Sequence, residues 1–233
     1  MSRYPRQSTI TIHGIVFVHI PAGMFEMGSD DWYDDERPSH TVTITNDFFM
    51  SDTLITQEQY QGIIGKNPST FHGDDHPVEC VSWDDAHIFC TKLAALVPQY
   101  TISLPTEAEW EYACRGNGSV FLPLMEYAWY HENSKSTTHP VAKLKPNAFG
   151  LYDMLGNVCE WCEDKYDPAY YASSPTHDPR CDHGTSVILR GGGWGGDARD
   201  VRAPDRHRRA PATRGGGIGF RCVLRPRIEG DTR

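Results

Sequence analysis

The sequence contains no apolar run approaching the roughly 20 residues that a membrane-spanning helix needs. Its first residues, MSRYPRQSTITIHG, also lack the apolar stretch that marks a secretory signal. We therefore expect no membrane span and no export by the signal-peptide route. Intrinsic disorder is excluded as well, because 11 Tyr, 9 Phe and 6 Trp among 233 residues are too many aromatic side chains for a disordered chain.

Cysteine is sparse and irregularly spaced. There are seven residues, an odd number, at positions 80, 90, 114, 159, 162, 181 and 222. In a chain without a secretory signal this pattern predicts reduced thiols rather than a disulfide framework. Pairing of Cys181 with Cys222 in an oxidising setting stays open as the alternative.

Helix signals are clear before residue 115 and fade after it. Three helix starts carry a capping box, in which two side chains three residues apart bond each other's backbone N–H: Thr56 with Gln59, Ser82 with Asp85, and Thr106 with Glu109. The second helix places six apolar residues on one face, which predicts that it packs against a core: Trp83, Ala86, Phe89, Cys90, Leu93 and Leu96.

The strand signals are short. GIVFVHIPAGMFEMGS predicts two strands around a Pro-Ala-Gly turn, and TVTITNDFFMS predicts one alternating strand. SVILR and FRCVLR are strand-like pieces in the loop-rich second half. Because no linker or repeat divides the chain, we predict one loop-rich α+β domain over residues 1–233.

Positive charge is concentrated near the C-terminus. Residues 190–227 contain ten Arg and no Lys against three Asp, a net charge of +7, whereas the whole chain carries −9. The remaining residues are therefore strongly acidic. Within this region lies the arginine-rich segment (residues 190–221), which begins RGGGW and ends IGFR, as core strands do. Its middle has almost no apolar side chain.

Six phrases in this order carry a resemblance across nearly the whole chain: FVHIPAGMFEMGS, HPVECVSWDDAHIFC, LPTEAEWEYACRG, NAFGLYDMLGNVCEWCED, RGGGW and IGFRC. Together they resemble the formylglycine-generating-enzyme (sulfatase-modifying factor) family. This resemblance implies an α+β, loop-rich, C-type-lectin-like fold of the formylglycine-generating-enzyme subclass. It leaves the function open, since one fold hosts unrelated activities.

The oxidases of that family use two cysteines, between the RGG and GFR strands, whose thiolates bind copper. Here no cysteine lies between Arg190 and Arg221, and Cys222 matches a core position of the family. An iron-dependent branch adds a histidine-bearing helical domain for which this chain has no room. We therefore predict a non-catalytic protein and keep a formylglycine-generating oxidase as the disfavoured alternative. An orphan member of the family with no ligand is a third.

The arginine-rich segment resembles the variable region of diversity-generating retroelement proteins that share this fold. In such proteins adenines of Asn codons are rewritten, and the resulting NNY codons cannot encode Lys, Glu, Gln, Met or Trp. None of these five residues occurs from Gly195 to Gly217. The resemblance implies thirteen variable, ligand-binding positions: Gly195, Gly196, Asp197, Asp200, Asp205, His207, Arg208, Arg209, Ala210, Thr213, Gly215, Gly216 and Gly217.

On this interpretation the ends of the segment pack and the middle is displayed. Trp194, Ile218 and Phe220 anchor strands. The thirteen variable positions face solvent, where substitutions cost little stability. Four arginines hold the irregular backbone by donating to its carbonyl groups: Arg199, Arg202, Arg206 and Arg214. The strongest contacts to a ligand are expected from five residues: Asp200, Asp205, His207, Arg208 and Arg209.

The motif DMLGNVCEW suggests a metal site. In the family, positions matching the Asp153 and Glu160 side chains and the Gly156 and Val158 carbonyl groups coordinate calcium, a cation that prefers oxygen ligands. A loop held by hydrogen bonds alone is the alternative, so calcium is a structural option and no cofactor is required. CEWC, with Cys159 and Cys162, predicts two core thiols rather than zinc ligands, and HGDDH predicts a polar surface turn.

The ligand expected for such a surface is a protein or cell-surface molecule. Nucleic acid is disfavoured, because the middle of the segment has no aromatic side chain for base stacking and the rest of the chain is acidic. The missing secretory signal favours a cytoplasmic or virion-associated location.

Overall fold

The computed structural model describes residues 8–116, 118 and 122–227. Residues 1–7, which begin the stretch MSRYPRQSTITIHG examined for a secretory signal, lie outside the described residues. Residues 228–233 of the predicted domain lie outside them as well. No helix within these ranges is both long and apolar enough to cross a membrane.

Three α-helices lie in the first half of the chain: α1 Gln57–Ile64, α2 Trp83–Leu96 and α3 Glu107–Arg115. All three predicted capping boxes are confirmed, with both reciprocal hydrogen bonds present at each helix start. Helices α1 and α3 end at Gly65 and Gly116, whose left-handed φ angles of 86° and 43° suit a glycine cap. The predicted apolar face of α2 is buried except at Trp83, which is half-buried, and at Leu96, which is exposed because the buried stripe ends one turn before the helix does.

Strands account for most of the remaining regular structure. They are β1 Thr9–Ile12, β2 Ile15–Ile20, β3 Gly23–Met27, β4 His40–Ile44, β5 Phe48–Ser51, β6 Tyr100–Ser103, β7 Ala128–Trp129, β8 Leu155–Gly156, β9 Cys159–Lys165, β10 Val187–Arg190, β11 His207–Arg209, β12 Ile218–Gly219 and β13 Val223–Pro226. Short 3-10 helices span Asp34–Glu36, Leu124–Glu126 and Tyr170–Ala172.

The strands form two principal sheets. One is antiparallel throughout, in the order β1-β2-β5-β13-β6. The other has the order β11-β10-β9-β12, with β12 parallel to β9 and the other pairs antiparallel. Strands β3 and β4 form a separate antiparallel pair, and β7 and β8 a short parallel one.

The predicted single strand TVTITNDFFMS is wrong, because the stretch forms two strands in different sheets. It breaks after Ile44, where β4 ends, and resumes at Phe48 as β5. Asp47, in the break, accepts hydrogen bonds from the Ala22 amide (2.7 Å) and bonds the His19 ring (2.8 Å). These contacts hold the connection against the turn between β2 and β3, so that the chain passes from one sheet to the other.

The four-stranded sheet determines where the arginine-rich segment lies. The segment begins at the end of β10, crosses to the edge strand β11 and returns through β12, on the opposite side of β9. Arg190 is opposite Glu160 across β10 and β9, and Gly219 is opposite the same residue across β12 and β9. Both ends of the segment are therefore fixed to one central strand.

Candidate binding surface formed by the arginine-rich segment

The two ends of the segment are held by buried ion pairs. Arg190 and Arg221 are completely buried. The Arg190 guanidinium pairs with Glu107 (2.9 Å) and Glu111 of α3, and Arg221 grips both carboxylate oxygens of Glu160 (2.7 and 3.1 Å). A buried charge costs several kcal/mol unless it is paired and hydrogen-bonded, on the order given by continuum estimates. These partners therefore fix the segment at both ends.

Two further arginines hold the middle of the arginine-rich segment against the rest of the protein. Arg206 donates to both oxygens of Glu107 (2.8 and 2.9 Å) and to the carbonyl of Asp35 (2.7 Å). Arg202 donates to both oxygens of the buried Glu36 (2.6 and 3.2 Å). The backbone of the segment therefore rests on carboxylates of the acidic body, which explains much of the charge asymmetry in the sequence.

The four arginines expected to support the backbone behave differently. Arg202 and Arg206 do so, chiefly through carboxylates rather than through carbonyl groups. Arg214 is exposed, donates to the Ala212 carbonyl (3.5 Å) as expected, and pairs with Asp85 of α2 (2.8 Å). The expectation is wrong for Arg199, whose exposed side chain contacts only its neighbour Asp197 (3.4 Å) among the hydrogen bonds and ion pairs of the described residues.

Glycines near the start of the segment fit positions that exclude side chains. Gly192 has a φ of 68°, and a Cβ atom there would lie 2.7 Å from the Asp200 carbonyl oxygen and 2.8 Å from Val201. Gly195, three residues on, has no atom beyond its chain neighbours within 4 Å of the corresponding position. The boundary between packed and displayed backbone therefore falls within the motif RGGGWGG.

Twelve of the thirteen proposed variable positions are at least partly open to solvent. The exposed ones are Gly195, Asp197, Arg208, Arg209 and Ala210. The half-buried ones are Gly196, Asp200, His207, Thr213, Gly215, Gly216 and Gly217. These residues lie on β11 and on the loops that precede and follow it, within one continuous stretch of chain.

The expectation of solvent exposure is wrong for Asp205. Its side chain is buried, with 1% of the residue exposed, and lies between Arg202 (3.6 Å) and the His207 Nε2 atom (2.8 Å). The hydrogen bond to Asp205 raises the pKa of His207, although partial burial of the ring opposes the shift. Asp205 therefore supports the surface from within and stabilises the protonated form of His207.

The three glycines 215–217 are held by their backbone and leave their side-chain positions open. The Gly216 carbonyl accepts from the Trp194 indole (2.8 Å), and the Gly215 carbonyl accepts from the Cys80 amide (3.0 Å). A Cβ atom at Gly216 would make ordinary contact, at 3.4 Å, with the Phe71 ring. Trp194 is thus an anchor through its indole and lies in a loop, whereas Ile218 is in β12 and Phe220 follows that strand as a buried core residue.

Residues outside the segment complete the surface, and the sequence analysis missed them. The loop DDWYDDER contributes Trp32 and Tyr33, which are 49% and 42% exposed. The Arg202 guanidinium lies 4.5 Å from the Trp32 ring centre, and the Tyr33 hydroxyl donates to Asp200 (3.2 Å). The available signal was an aromatic pair inside an acidic loop, since exposed Trp and Tyr are frequent at protein interfaces.

The residues of the calcium hypothesis do not fit a common cation site. Both carboxylate oxygens of Glu160 accept from Arg221, and one also accepts from the Trp110 indole (3.0 Å). Asp153 accepts from the Ala142 amide (2.8 Å). Burial raises the pKa of both carboxyl groups. The Arg221 guanidinium thus already bonds both carboxylate oxygens of Glu160, and calcium at the carbonyl groups of Gly156 and Val158 stays a prediction.

The thiols of CEWC lie in the core and are free. All seven cysteines are free, including Cys181 and Cys222, so the alternative pairing is absent. Burial raises the pKa of Cys159 to about 12 and that of Cys162 well above its usual value, which keeps both protonated and supports their interpretation as core thiols. Across the described ranges, no three His, Cys, Asp or Glu side chains are grouped to hold a metal ion, those of HGDDH included.

Comparison with known proteins agrees with this architecture. The formylglycine-generating enzyme of Streptomyces coelicolor is 35% identical over 176 residues, which cover 64% of this chain and 52% of that enzyme. The serine/threonine-protein kinase pkn1 of Chlamydia caviae is 31% identical over 238 residues, which cover 88% of this chain and 37% of the kinase. The chain thus spans between about a third and a half of the length of these two relatives.

Among solved structures, Treponema denticola variable protein 1 superimposes with a TM-score of 0.86 and 31% identity, covering 96% of this chain and 100% of that one. The predicted α+β, loop-rich, C-type-lectin-like fold of the formylglycine-generating-enzyme subclass is confirmed, as is the resemblance to a variable protein. The model of the sulfatase-modifying factor enzyme 1-like domain matches residues 5–226, and the chain belongs to that family.

Proposed function

We propose that this protein is a non-catalytic ligand-binding protein whose arginine-rich segment is diversified by a retroelement to display a variable surface. One observation carries the proposal. Buried ion pairs at Arg190, Arg206 and Arg221 hold the segment, while twelve of its thirteen proposed variable positions remain open to solvent. Substitution of open surface residues costs little stability, so such a segment tolerates many sequences on one backbone.

The surface suits a protein or cell-surface ligand. Trp32, Tyr33, Arg208 and Arg209 are exposed together with the variable loops, and Trp, Tyr and Arg dominate binding energy at protein interfaces. Nucleic acid is a poorer fit, because the buried arginines form ion pairs with carboxylates of the same chain. Their guanidinium groups are therefore unavailable to phosphate groups.

The alternative, a formylglycine-generating oxidase, lacks its chemistry here. The segment contains no cysteine, and burial raises the pKa of Cys114, Cys159 and Cys162. Thiols that stay protonated do not supply the soft thiolate ligands that copper prefers. We therefore expect no conversion of a cysteine-containing peptide by the copper-supplemented protein. Turnover in that assay would overturn the non-catalytic assignment.

A display library tests the proposal directly. The twelve open positions are randomised together with NNY codons on a cell surface, and the folded fraction is measured by protease resistance. We expect most members to remain folded, because single surface substitutions cost within about 0.5 kcal/mol. We also expect binders to emerge when the library is sorted against a panel of folded proteins.

The matched control randomises buried anchors instead, at Arg190, Gly192, Arg206, Gly219 and Arg221, with the same codons. We expect almost no folded members, because each position is packed or ion-paired. Equal losses of folded protein in the two libraries would contradict a displayed surface, as would a well-folded first library that yields no binder to any protein of the panel.

A further inference from the structure

An open pocket lies where the arginine-rich segment meets the rest of the protein. It has a volume of about 490 Å³. Residues outside the segment contribute Tyr33, Asp34, Asp35 and Tyr166, and the segment contributes Asp200 and Arg208 among its lining residues. The pocket is therefore lined by both constant and variable residues in the sense of the proposed function.

The constant wall of the pocket, formed by Asp35 and Tyr166, contains a carboxylate that is hydrogen-bonded to an aromatic side chain. The Tyr166 hydroxyl donates to the Asp35 carboxylate at 2.8 Å. Burial, together with that hydrogen bond, raises the pKa of Tyr166 to about 12, so the hydroxyl remains a donor. A carboxylate beside an aromatic face is a suitable environment for an organic cation, which is attracted by both groups.

The position of the Arg208 side chain indicates that this wall can hold a cationic group. Its guanidinium lies 4.3 Å from the centre of the Tyr166 ring and 3.9 Å from the Asp35 Oδ2 atom. The Arg208 side chain is nevertheless 54% exposed, and an ion pair so open to water is weak. A cation of this chain therefore already occupies the constant wall, and it is held loosely enough to be exchanged.

The other basic groups of the pocket already have partners. Arg206 gives its donors to Glu107 and to the Asp35 carbonyl, and the His207 ring lies 2.8 Å from the buried carboxylate of Asp205. Asp34 is almost fully exposed at the opening, where Arg37 pairs with it (3.2 Å). Asp200 contributes a further carboxylate, hydrogen-bonded by Tyr33. Carboxylates thus outnumber the cations left to balance them.

We propose that the pocket formed by Asp35 and Tyr166 is a binding site for a guanidinium or ammonium side chain of a protein partner, and that Arg208 occupies it from within in this copy. The inference rests on the proposed function for the claim that position 208 varies. A copy with a short side chain at 208 leaves the site open to the partner. The constant wall then selects the charge of the ligand, and the variable residues select its shape.

The test uses the full chain, an Arg208→Ser variant and the tripeptide acetyl-Gly-Arg-Gly-amide as probe. Serine is reachable from an Asn codon by changing an adenine, and Arg208 is exposed, so the variant should fold. We expect the variant to bind the peptide about tenfold more tightly than the wild type. The peptide no longer competes with Arg208 for one weak ion pair and one cation–π contact. Binding is measured by NMR titration.

Two controls assign the effect to the pocket. Arg209→Ser removes the same charge from the neighbouring residue, whose guanidinium donates to the Arg208 carbonyl (2.8 Å) and which does not line the pocket, so binding should not rise. Adding Asp35→Asn to Arg208→Ser should return binding to the wild-type level, with unfolding midpoints measured to show that both variants are folded.

The proposal is overturned if folded Arg208→Ser binds the peptide no better than the wild type or no better than Arg209→Ser. Preference for acetyl-Gly-Glu-Gly-amide over the arginine peptide would also overturn it. Neither result affects the library experiment, which tests the display of a variable surface without reference to this pocket, so the two proposals fail separately.

Discussion

Replacing Glu107 by glutamine is expected to lower the free energy of unfolding by about 3–5 kcal/mol, the usual cost of breaking a buried ion pair. Glu107 is buried and receives hydrogen bonds from both Arg190 and Arg206. Burial raises the pKa of its carboxyl, but the two arginines outweigh burial and hold the pKa below its usual value. The amide would leave two buried guanidinium groups without a full counter-charge.

The measurement is urea unfolding followed by tryptophan fluorescence, with Glu58→Gln as the matched control. Glu58 is exposed in the first turn of α1, so its loss removes only a favourable interaction with the helix dipole, about 0.3–1 kcal/mol. If Glu107→Gln were no more destabilising than Glu58→Gln, the arginine-rich segment would not be anchored by buried ion pairs.

Replacing Gly192 by alanine is expected to destabilise the protein by about 2–5 kcal/mol. The left-handed φ of 68° costs about 1–2 kcal/mol for a residue with a Cβ atom. The approach to the Asp200 carbonyl oxygen, 2.7 Å, adds an overpacking cost of about 1–3 kcal/mol. The thermal midpoint should therefore fall by several degrees, at about 2–4 °C for each kcal/mol in a domain of this size.

The same substitution at Gly195 is the control. Nothing beyond its chain neighbours lies within 4 Å of the added atom, so we expect a change within about 0.5 kcal/mol. Calorimetry of the two variants locates the boundary between packed and displayed backbone. Equal destabilisation by both substitutions would place Gly195 inside the packed part and contradict the proposed surface.

The features that the sequence predicts well are local ones. Capping boxes at Thr56, Ser82 and Thr106 depend on residues three positions apart, and all three are formed. The anchoring ends of the segment, RGGGW and IGFR, could also be recognised, because short apolar strands and glycine-rich turns leave a local pattern.

The partners of the arginines could not be predicted. Arg190 and Arg206 bind Glu107, which lies 83 and 99 residues earlier in the chain, and Arg202 binds Glu36, 166 residues earlier. Pairing at such separations depends on the complete fold. For the same reason the sequence analysis assigned Arg202 and Arg206 to carbonyl groups of the segment, whereas both pair chiefly with carboxylates of the acidic body.

The findings at Asp205 and at Glu160 have a common feature. In each case the type of residue suggested exposure or a metal ligand, and the structure places a basic side chain beside the carboxylate. Asp205 is buried beside Arg202 and His207, and both oxygens of Glu160 accept hydrogen bonds from Arg221. Carboxylates in an arginine-rich region therefore need to be assessed together with the guanidinium groups that can reach them.

Sequencing this gene in many sibling cells tests the central claim most directly. The account predicts substitutions of the NNY type concentrated at the open positions of residues 195–217, with Arg190, Gly192, Arg206 and Arg221 unchanged. An invariant segment, or substitutions spread evenly along the chain, would contradict the claim that buried anchors hold a surface that is free to vary.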